Sequence, residues 1–390
     1  MPHLKVKPFD HTVVDAVLEQ SKIMTLHAKS LTSSDEVIGI EHGGEEFLLQ
    51  LKPDDEVTLL KYDKVTRPLK VNILKEALGR VSDELGLDVL SSNISISSTK
   101  QVLSSEYFKK IEDFESMTFP KKKVSVEVGF GSGKHLLYQA QKYPDTLFIG
   151  LEIHTPSAQQ VLKQIALQNI DNIWVVNYDA RLFLEMLPSN ICEKIFVHFP
   201  VPWDKKPHRR VISTSFLEES MRVLSLEGRL ELRTDSNKYF WYALETFFAS
   251  PTVEVEVRKN EDLEVTSKYE ARWKRQEKDI YDVYVKCKKK SEEKQGILDF
   301  NFNIVKYRNS LETQLPKEPL VFEGYFVHLE RLYKTNDEQL LIKCAFGSFD
   351  RPEHKYIILN KKTCRYLVSS PVRTKVNFQA HQKIMELLNV

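Results

Sequence analysis

Val124-Ser-Val-Glu127-Val-Gly129-Phe-Gly131-Ser-Gly133-Lys-His-Leu136 decides the fold of this chain. A β-branched run enters the stretch, glycine stands at every second position of the turn, and a helical apolar pattern (Leu136, Leu137, Ala140) leaves it. Glycine accepts positive φ and lets a ligand approach the backbone closely. The spacing is Gly-x-Gly-x-Gly, not the Gly-x-Gly-x-x-Gly of dinucleotide sites, and no Gly-Lys-Ser/Thr follows, so phosphate cradling is not indicated. Taken alone, the stretch is either a tight strand-to-helix turn or a ligand loop. Working outward, apolar runs at 124–130, 147–151, 173–177, 194–199, 229–233, 252–257 and 280–285 read as strands. Helical patterns lie between them, to about 142 and then over 156–168, 180–187, 213–226 and 237–249. Thr155 and Pro156 suit a cap and first turn. Such alternation predicts an α/β unit with a largely parallel sheet.

The ends of these strands carry the chemistry. Glu152 closes the run Leu147 to Leu151, and a carboxylate at the tip of the second strand can accept both ribose hydroxyls of a nucleoside. Asp179 follows the run Ile173 to Asn177. Next comes Phe199-Pro-Val-Pro-Trp-Asp-Lys-Lys-Pro-His-Arg-Arg210. Pro200 and Pro202 fix φ and remove two donors, so the preceding strand must stop there. Trp203 offers a stacking face, while Lys205, Lys206, Arg209 and Arg210 suit a polyanion. Each residue also has a plain structural reading. Glu127 can pair with Lys134, Glu152 can be a solvated strand end, and Asp179 can cap the helix that opens at Ala180. Thr234-Asp235-Ser236 can start a helix. Glu270, among Lys268, Arg272, Lys274 and Arg275, can belong to an exposed ion-pair face.

Glu127 to Gly133, Glu152-Ile-His154, Asp179-Ala180, Phe199 to Arg210, Thr234-Asp235 and Ser267-Lys-Tyr-Glu270 occur together in order. In this the chain resembles the bacterial tRNA (guanine-N7)-methyltransferase family over roughly residues 100–288, leaving both flanks as additions. The resemblance implies a Rossmann-like class I core that uses S-adenosylmethionine. It places Glu127 beside the methionine part, Gly129, Gly131, Gly133 and Ala180 around the cofactor, Glu152 on the ribose and Asp179 near the adenine. It assigns Lys205, with Arg209 and Arg210, to tRNA, and Asp235, Ser267 and Glu270 to the guanine pocket. The implied target is the guanine at position 46 in the variable loop. Ser267 keeps the hydroxyl of the family's threonine. Val201, however, stands where the family has an aspartate between the prolines. N7 of guanine carries a lone pair, so its methylation needs no base, and orientation can supply most of the rate. Asp235, Glu270 or the displaced Asp204 could provide the missing negative field. A tRNA-binding pseudoenzyme and a methyltransferase of small molecules remain as alternatives. A nicotinamide oxidoreductase leaves the Pro-Trp-basic segment unexplained.

At 390 residues and net charge +1 the chain has room for two or three domains. Three are expected: a small α+β domain at 1–98, the methyltransferase domain at 99–290 and a second small α+β domain at 297–390. Residues 1–100 hold 12 Lys/Arg against 16 Asp/Glu, whereas 297–390 hold 14 against 10, so tRNA contact is expected to favour the tail over the head; the tail can equally be a structural module packed against the head. Within the head, residues 36–41 and 46–51 flank His42-Gly43-Gly44 as a hairpin, 69–85 reads as an amphipathic helix, and 91–100 as a linker, although Ile94 and Ile96 could instead form an edge strand. The tail reads as strands at 321–329, 340–346, 355–359 and 364–368 before a helix at 377–389. Cys192, Cys287, Cys344 and Cys364 lie far apart, which suggests neither disulfides nor a metal site. The N-terminus is too polar for a signal peptide and no run approaches a membrane span, so a cytoplasmic protein is expected. The oligomeric state is left open, a monomer included.

Overall fold

A computed structural model describes residues 2–54, 56–68, 70–95, 105–115, 117–120, 122–265, 276, 278–293, 298–302 and 311–389. The chain divides into two compact units, one made of 103–297 with 372–374, the other of 1–102, 298–371 and 375–390. Among the described residues no helix is long and apolar enough to cross a membrane.

The first unit is built on eight strands: β1 (Phe108–Lys109), β2 (Lys123–Val128), β3 (Thr146–Leu151), β4 (Ile173–Val176), β5 (Cys192–His198), β6 (Leu224–Thr234), β7 (Glu254–Lys259) and β8 (Tyr281–Lys286). Their order among the described residues is β7-β8-β6-β5-β2-β3-β4-β1. From β1 through β6 every pairing is parallel, and β8 alone runs antiparallel to its neighbours β6 and β7. This is the expected Rossmann-like class I methyltransferase core. The helices are α1 (Lys134–Lys142), α2 (Thr155–Gln168), α3 (Ala180–Phe183), α4 (Thr214–Val223) and α5 (Asn237–Phe248). Strand alternation divides the core between two faces. Val126, Ile149, Val197 and Leu232 pack with Phe216 and Phe247 of α4 and α5 on one face. On the other, Phe148, Ile173 and Phe196 meet Leu136 of α1 and Val161 and Ile165 of α2.

Two local readings change. The helix expected over 213–226 ends at Val223, because Leu224 is fully buried and pairs with Cys192 as the first residue of β6. Thr155 does not cap α2 through its side chain; its hydroxyl donates to Asn177 Oδ1 at 2.9 Å and ties the helix start to the end of β4.

In the second unit the two flanks of the chain share one sheet rather than standing as separate small domains. Strands Met24–Ser30, Glu36–His42, Glu45–Lys52 and Thr58–Tyr62 form a meander that ends in helix Val71–Glu84. Phe326–Thr335, Leu340–Gly347, Glu353–Leu359 and Cys364–Tyr366 repeat that plan and end in helix Lys375–Leu388. The halves join edge to edge where Tyr333, Lys334 and Thr335 pair with Ser30, Lys29 and Ala28. Expected and observed elements agree closely for the 36–52 hairpin, whose Gly43 and Gly44 have φ of 61° and 75°. Such angles suit a two-residue turn that follows strand twist. The segment expected as a linker starts as strand Val89–Ser92, and its residues 96–100 lie outside the described ones.

Close packing at the start of α1 gives a stability test. Gly133 has φ 74°, and a Cβ there would lie 2.3 Å from Val161 Cγ2. Gly133→Ala should therefore cost about 2–4 kcal/mol, combining left-handed strain with overpacking. In urea unfolding, Gly133→Ala/Val161→Ala should fall short of the summed single losses, because the clash is shared; strict additivity would refute that contact.

Candidate active site

Parallel strands deliver the described candidate residues to one edge. Val128 of β2 is in register with Leu151 of β3 and Val197 of β5, Leu151 with Val176 of β4, and His198 with Arg233 of β6. The glycine turn, Glu152, Asp179, the Pro-Trp segment and Asp235 thus leave the carboxyl ends of five neighbouring strands. The chain winds outward from β2 to β4 and then crosses back to β5, so the gap between β2 and β5 is the switch point at which ligands bind in such sheets.

All three turn glycines have positive φ: 69° at Gly129, 55° at Gly131 and 74° at Gly133. They differ in surroundings. A Cβ at Gly133 would strike α2, whereas at Gly129 or Gly131 it would find nothing within 4 Å. The first two glycines therefore keep open a bed against bare backbone, the requirement for a bound nucleoside. The Glu152 carboxylate is held beside it, accepting from Gly131 N–H and His154 N–H, both at 2.9 Å. Asn177 Nδ2 donates to the Glu152 carbonyl and fixes that backbone. Asp179 does cap α3, taking Arg181 N–H at 3.0 Å, and its other oxygen meets Arg181 Nη2 at 2.7 Å. Beside it Ala180 is buried. These groups fit S-adenosylmethionine: open backbone for its body, Glu152 for paired hydroxyls and Asp179 for an amino group.

Glu127 is buried, and its partner is His135 rather than Lys134, with Nδ1 at 2.8 Å from Oε2. Burial works against a charged His135, but Glu127 outweighs it, so the imidazole pKa lies above its ordinary value. His198, whose ring centroid is 4.6 Å from that of His135, is driven the opposite way. Burial is the main cause, with His135 and Arg233 adding to it. Two imidazoles whose affinities for a proton are pushed in opposite directions thus lie side by side. Neither histidine was singled out in the sequence, although His135 stands in the opening stretch. His135 could have been found from its place two residues beyond Gly133, on the first turn of α1.

The Pro-Trp segment is a strained loop held from below. Phe199 and Trp203 adopt φ of 51° and 46°, a rare region for non-glycine residues. Arg210, expected on the tRNA-facing rim, is buried instead. Its Nε donates to the Pro202 carbonyl at 2.7 Å, and its guanidinium lies 4.3 Å from the ring centroid of Tyr242 and 5.4 Å from that of Tyr239. Two aromatic faces one helical turn apart on α5 make that inward position favourable. Lys205, Lys206, His208 and Arg209 remain exposed, and Arg209 stands over the Trp203 ring at 5.3 Å. Val201 is exposed too. Asp235 escapes the capping role, since Ser236 accepts from Tyr239 N–H and caps α5. Its carboxylate faces Lys278 Nζ at 3.3 Å. Ser267 and Glu270 lie outside the described residues.

Comparison with known proteins agrees with this geometry. A family model described as "Putative methyltransferase" matches residues 121–283. The tRNA (guanine-N(7)-)-methyltransferase of Wolinella succinogenes is 40% identical over 392 residues, covering 100% of both chains. The protein of that name from Helicobacter hepaticus is 36% identical over 366 residues, covering 91% of each. A solved antibiotic-related methyltransferase is 17% identical over 44% of this chain and 97% of its own, with a TM-score of 0.35, too low to bear on the assignment. Full-length identity at this level settles the kinship: the chain belongs to the tRNA (guanine-N7-)-methyltransferase family.

Proposed function

We propose that this protein methylates N7 of a tRNA guanine, the one at position 46 of the variable loop, with S-adenosylmethionine as donor, in the cytoplasm. The observation that carries the reading is the shared edge: the glycine turn and the cationic Pro-Trp segment leave adjacent parallel strands, β2 and β5. Paired strands lie about 4.8 Å apart, so a base presented by the second motif meets a ligand held on the first. When bound, the donor supplies a sulfonium methyl group, electrophilic enough for attack by the N7 lone pair. The protein's task is then to hold and orient. Lys205, Lys206 and Arg209 offer charge to phosphates, Trp203 offers a ring edge, and Asp235 can accept from the donor-rich Watson–Crick edge of guanine. No proton has to leave N7, so Val201 deprives the site of a charge but not of a necessary base. Asp235, with Ser267 and Glu270 from the family pattern, completes the guanine pocket in this reading.

The exposed Val201 also favours one rival, a protein that binds tRNA without modifying it. Nucleoside mass analysis of tRNA incubated with the protein and isotopically labelled donor decides between them. One labelled 7-methylguanosine per tRNA is expected, absent when guanine 46 is replaced; unlabelled tRNA would leave only the binding role. Lys205→Ala should weaken tRNA binding and lower its salt slope by about 1 while donor affinity holds. Asp235→Asn should reduce kcat/KM by about 10- to 100-fold, the size of one good base contact.

Donor binding should also depend on pH through His135. In the proposed site Glu127 takes the donor's ammonium, yet the His135 ring already occupies it. The other groups acting on that imidazole are Glu231, Lys194 and the neighbouring His198. Because the folded pKa is raised, the ion pair stabilises the fold fully below the unfolded value of about 6.5 and is lost as pH rises through the folded one. Deprotonation weakens the hold on Glu127, so calorimetric affinity for donor should rise as pH climbs above the ordinary imidazole value of about 6.5. His135→Gln should flatten that rise, and a pH-independent wild type would remove His135 from the account.

A further inference from the structure

The second unit contains a cleft of about 300 Å³ that the methyl-transfer reading leaves unused. It lies on the sheet face away from the helices. Phe47, Leu49 and Leu51 enter the core that includes Leu74 and Leu78 of helix Val71–Glu84, so Gln50 and Lys52 point the other way. In the second half Leu340, Ile342 and Cys344 join Ile384 of helix Lys375–Leu388, which turns Lys343 to that same opposite face, where Leu48, Leu341 and Tyr356 form a smaller buried cluster beside the cleft. Tyr333, a seam residue paired with Ser30, lines the cleft together with residues of both halves. Neither half of the chain alone can build it.

Its charge is unbalanced. Lys52 Nζ and Arg331 Nη1 both turn to a single oxygen, Oδ2 of Asp35. Lys343 Nζ meets Glu330 at 3.3 Å, and His354 approaches the other oxygen of Glu330 at 3.4 Å. Lys61, paired in register with Gln50, binds its proton less tightly than usual, first through burial and then through Lys52 and Lys64. Asp63 lies beneath with its oxygens already engaged, accepting from Gln50 at 2.6 Å, Tyr356 at 2.9 Å and two backbone N–H groups. Three cations, Lys52, Arg331 and Lys343, thus line the cleft against the two carboxylates Asp35 and Glu330, with Lys61 on the neighbouring strand and Asp63 below. The side chains of Lys52 and Arg331 are 39% and 34% exposed, enough for a ligand to reach them. An arginine fork that shares a carboxylate oxygen with a lysine can exchange it for two phosphate oxygens. Sheet surfaces also serve nucleic-acid readers elsewhere.

We propose that this cleft binds backbone phosphate of the RNA substrate, so that the flanking unit supplies a second grip on the molecule whose guanine is methylated. The inference rests on the tRNA reading above and places the contact at the seam of both flanks, not in the tail alone. The test uses the full chain and its Lys52→Ala/Lys343→Ala variant, with Lys52→Gln/Lys343→Gln in reserve if the alanine pair unfolds. tRNA affinity is measured across a potassium chloride series, alongside steady-state methylation and donor calorimetry. Removing two phosphate contacts should lower the salt slope by roughly 1.4–1.8. KM for tRNA should rise about tenfold at low salt, with kcat and donor affinity unchanged. A wild type that methylates tRNA together with variants of unaltered salt slope and KM would overturn the cleft and leave the function standing. A wild type that binds no tRNA would overturn both.

Discussion

Parallel register is the constraint on which the rest depends. In an antiparallel sheet, successive chain reversals fall at opposite ends; here β2, β3, β4, β5 and β6 run the same way, and each releases its loop at the same edge. An open glycine turn, the strand-end acids Glu152 and Asp179 and a cationic loop are thereby collected from positions spread over about eighty residues. The reversal of winding between β2 and β5 leaves a crevice where these loops diverge. No long-range contact between the motifs is required beyond the strand ladder and the two helical layers that cover it.

Charge within the edge is arranged in layers. Uppermost are Lys205, Lys206 and Arg209 in solvent. Below them Arg210 is drawn inward by two tyrosines and a carbonyl, and its cost of burial is offset by those partners. Deeper still, Arg233 and Asp282 form a buried pair at 2.5 Å that holds β6 to β8. Arg233 also adds to the positive field that keeps His198 uncharged. Methylation of a neutral base moves positive charge from donor to acceptor, so a site of this kind gains more from fixed dipoles and carboxylates than from a titrating base.

Much of this was legible in the sequence where the code is local. The glycine turn, the strand-end acids and the bracketed prolines each impose backbone geometry within a few residues. The succession of strands and helices along the chain followed from the alternation of apolar periods, and most element ends fell within a few residues of expectation. What stayed hidden depends on contacts between distant residues. Arg210 reads as a fourth rim cation until Tyr239 and Tyr242, about thirty positions later, come beneath it. Glu127 could take either Lys134 or His135, and only the direction of the first turn of α1 selects the histidine. The union of both flanks is set by pairing of Tyr333 with Ser30, which neither local pattern encodes. Nor did the head reveal strands Met24–Ser30 and Thr58–Tyr62, whose polar residues interrupt the apolar signal.

The central claim is that Gly131 is glycine for the sake of a ligand and not of the fold. Its φ of 55° carries a modest penalty for any side chain, and space beyond it is open. Calorimetric titration of Gly131→Leu with S-adenosylmethionine, beside its chemical unfolding, tests this most directly. The account expects donor binding to fall by at least about a hundredfold while stability drops by only about 1–2 kcal/mol, the cost of left-handed backbone. Full donor affinity in a folded Gly131→Leu protein would contradict it.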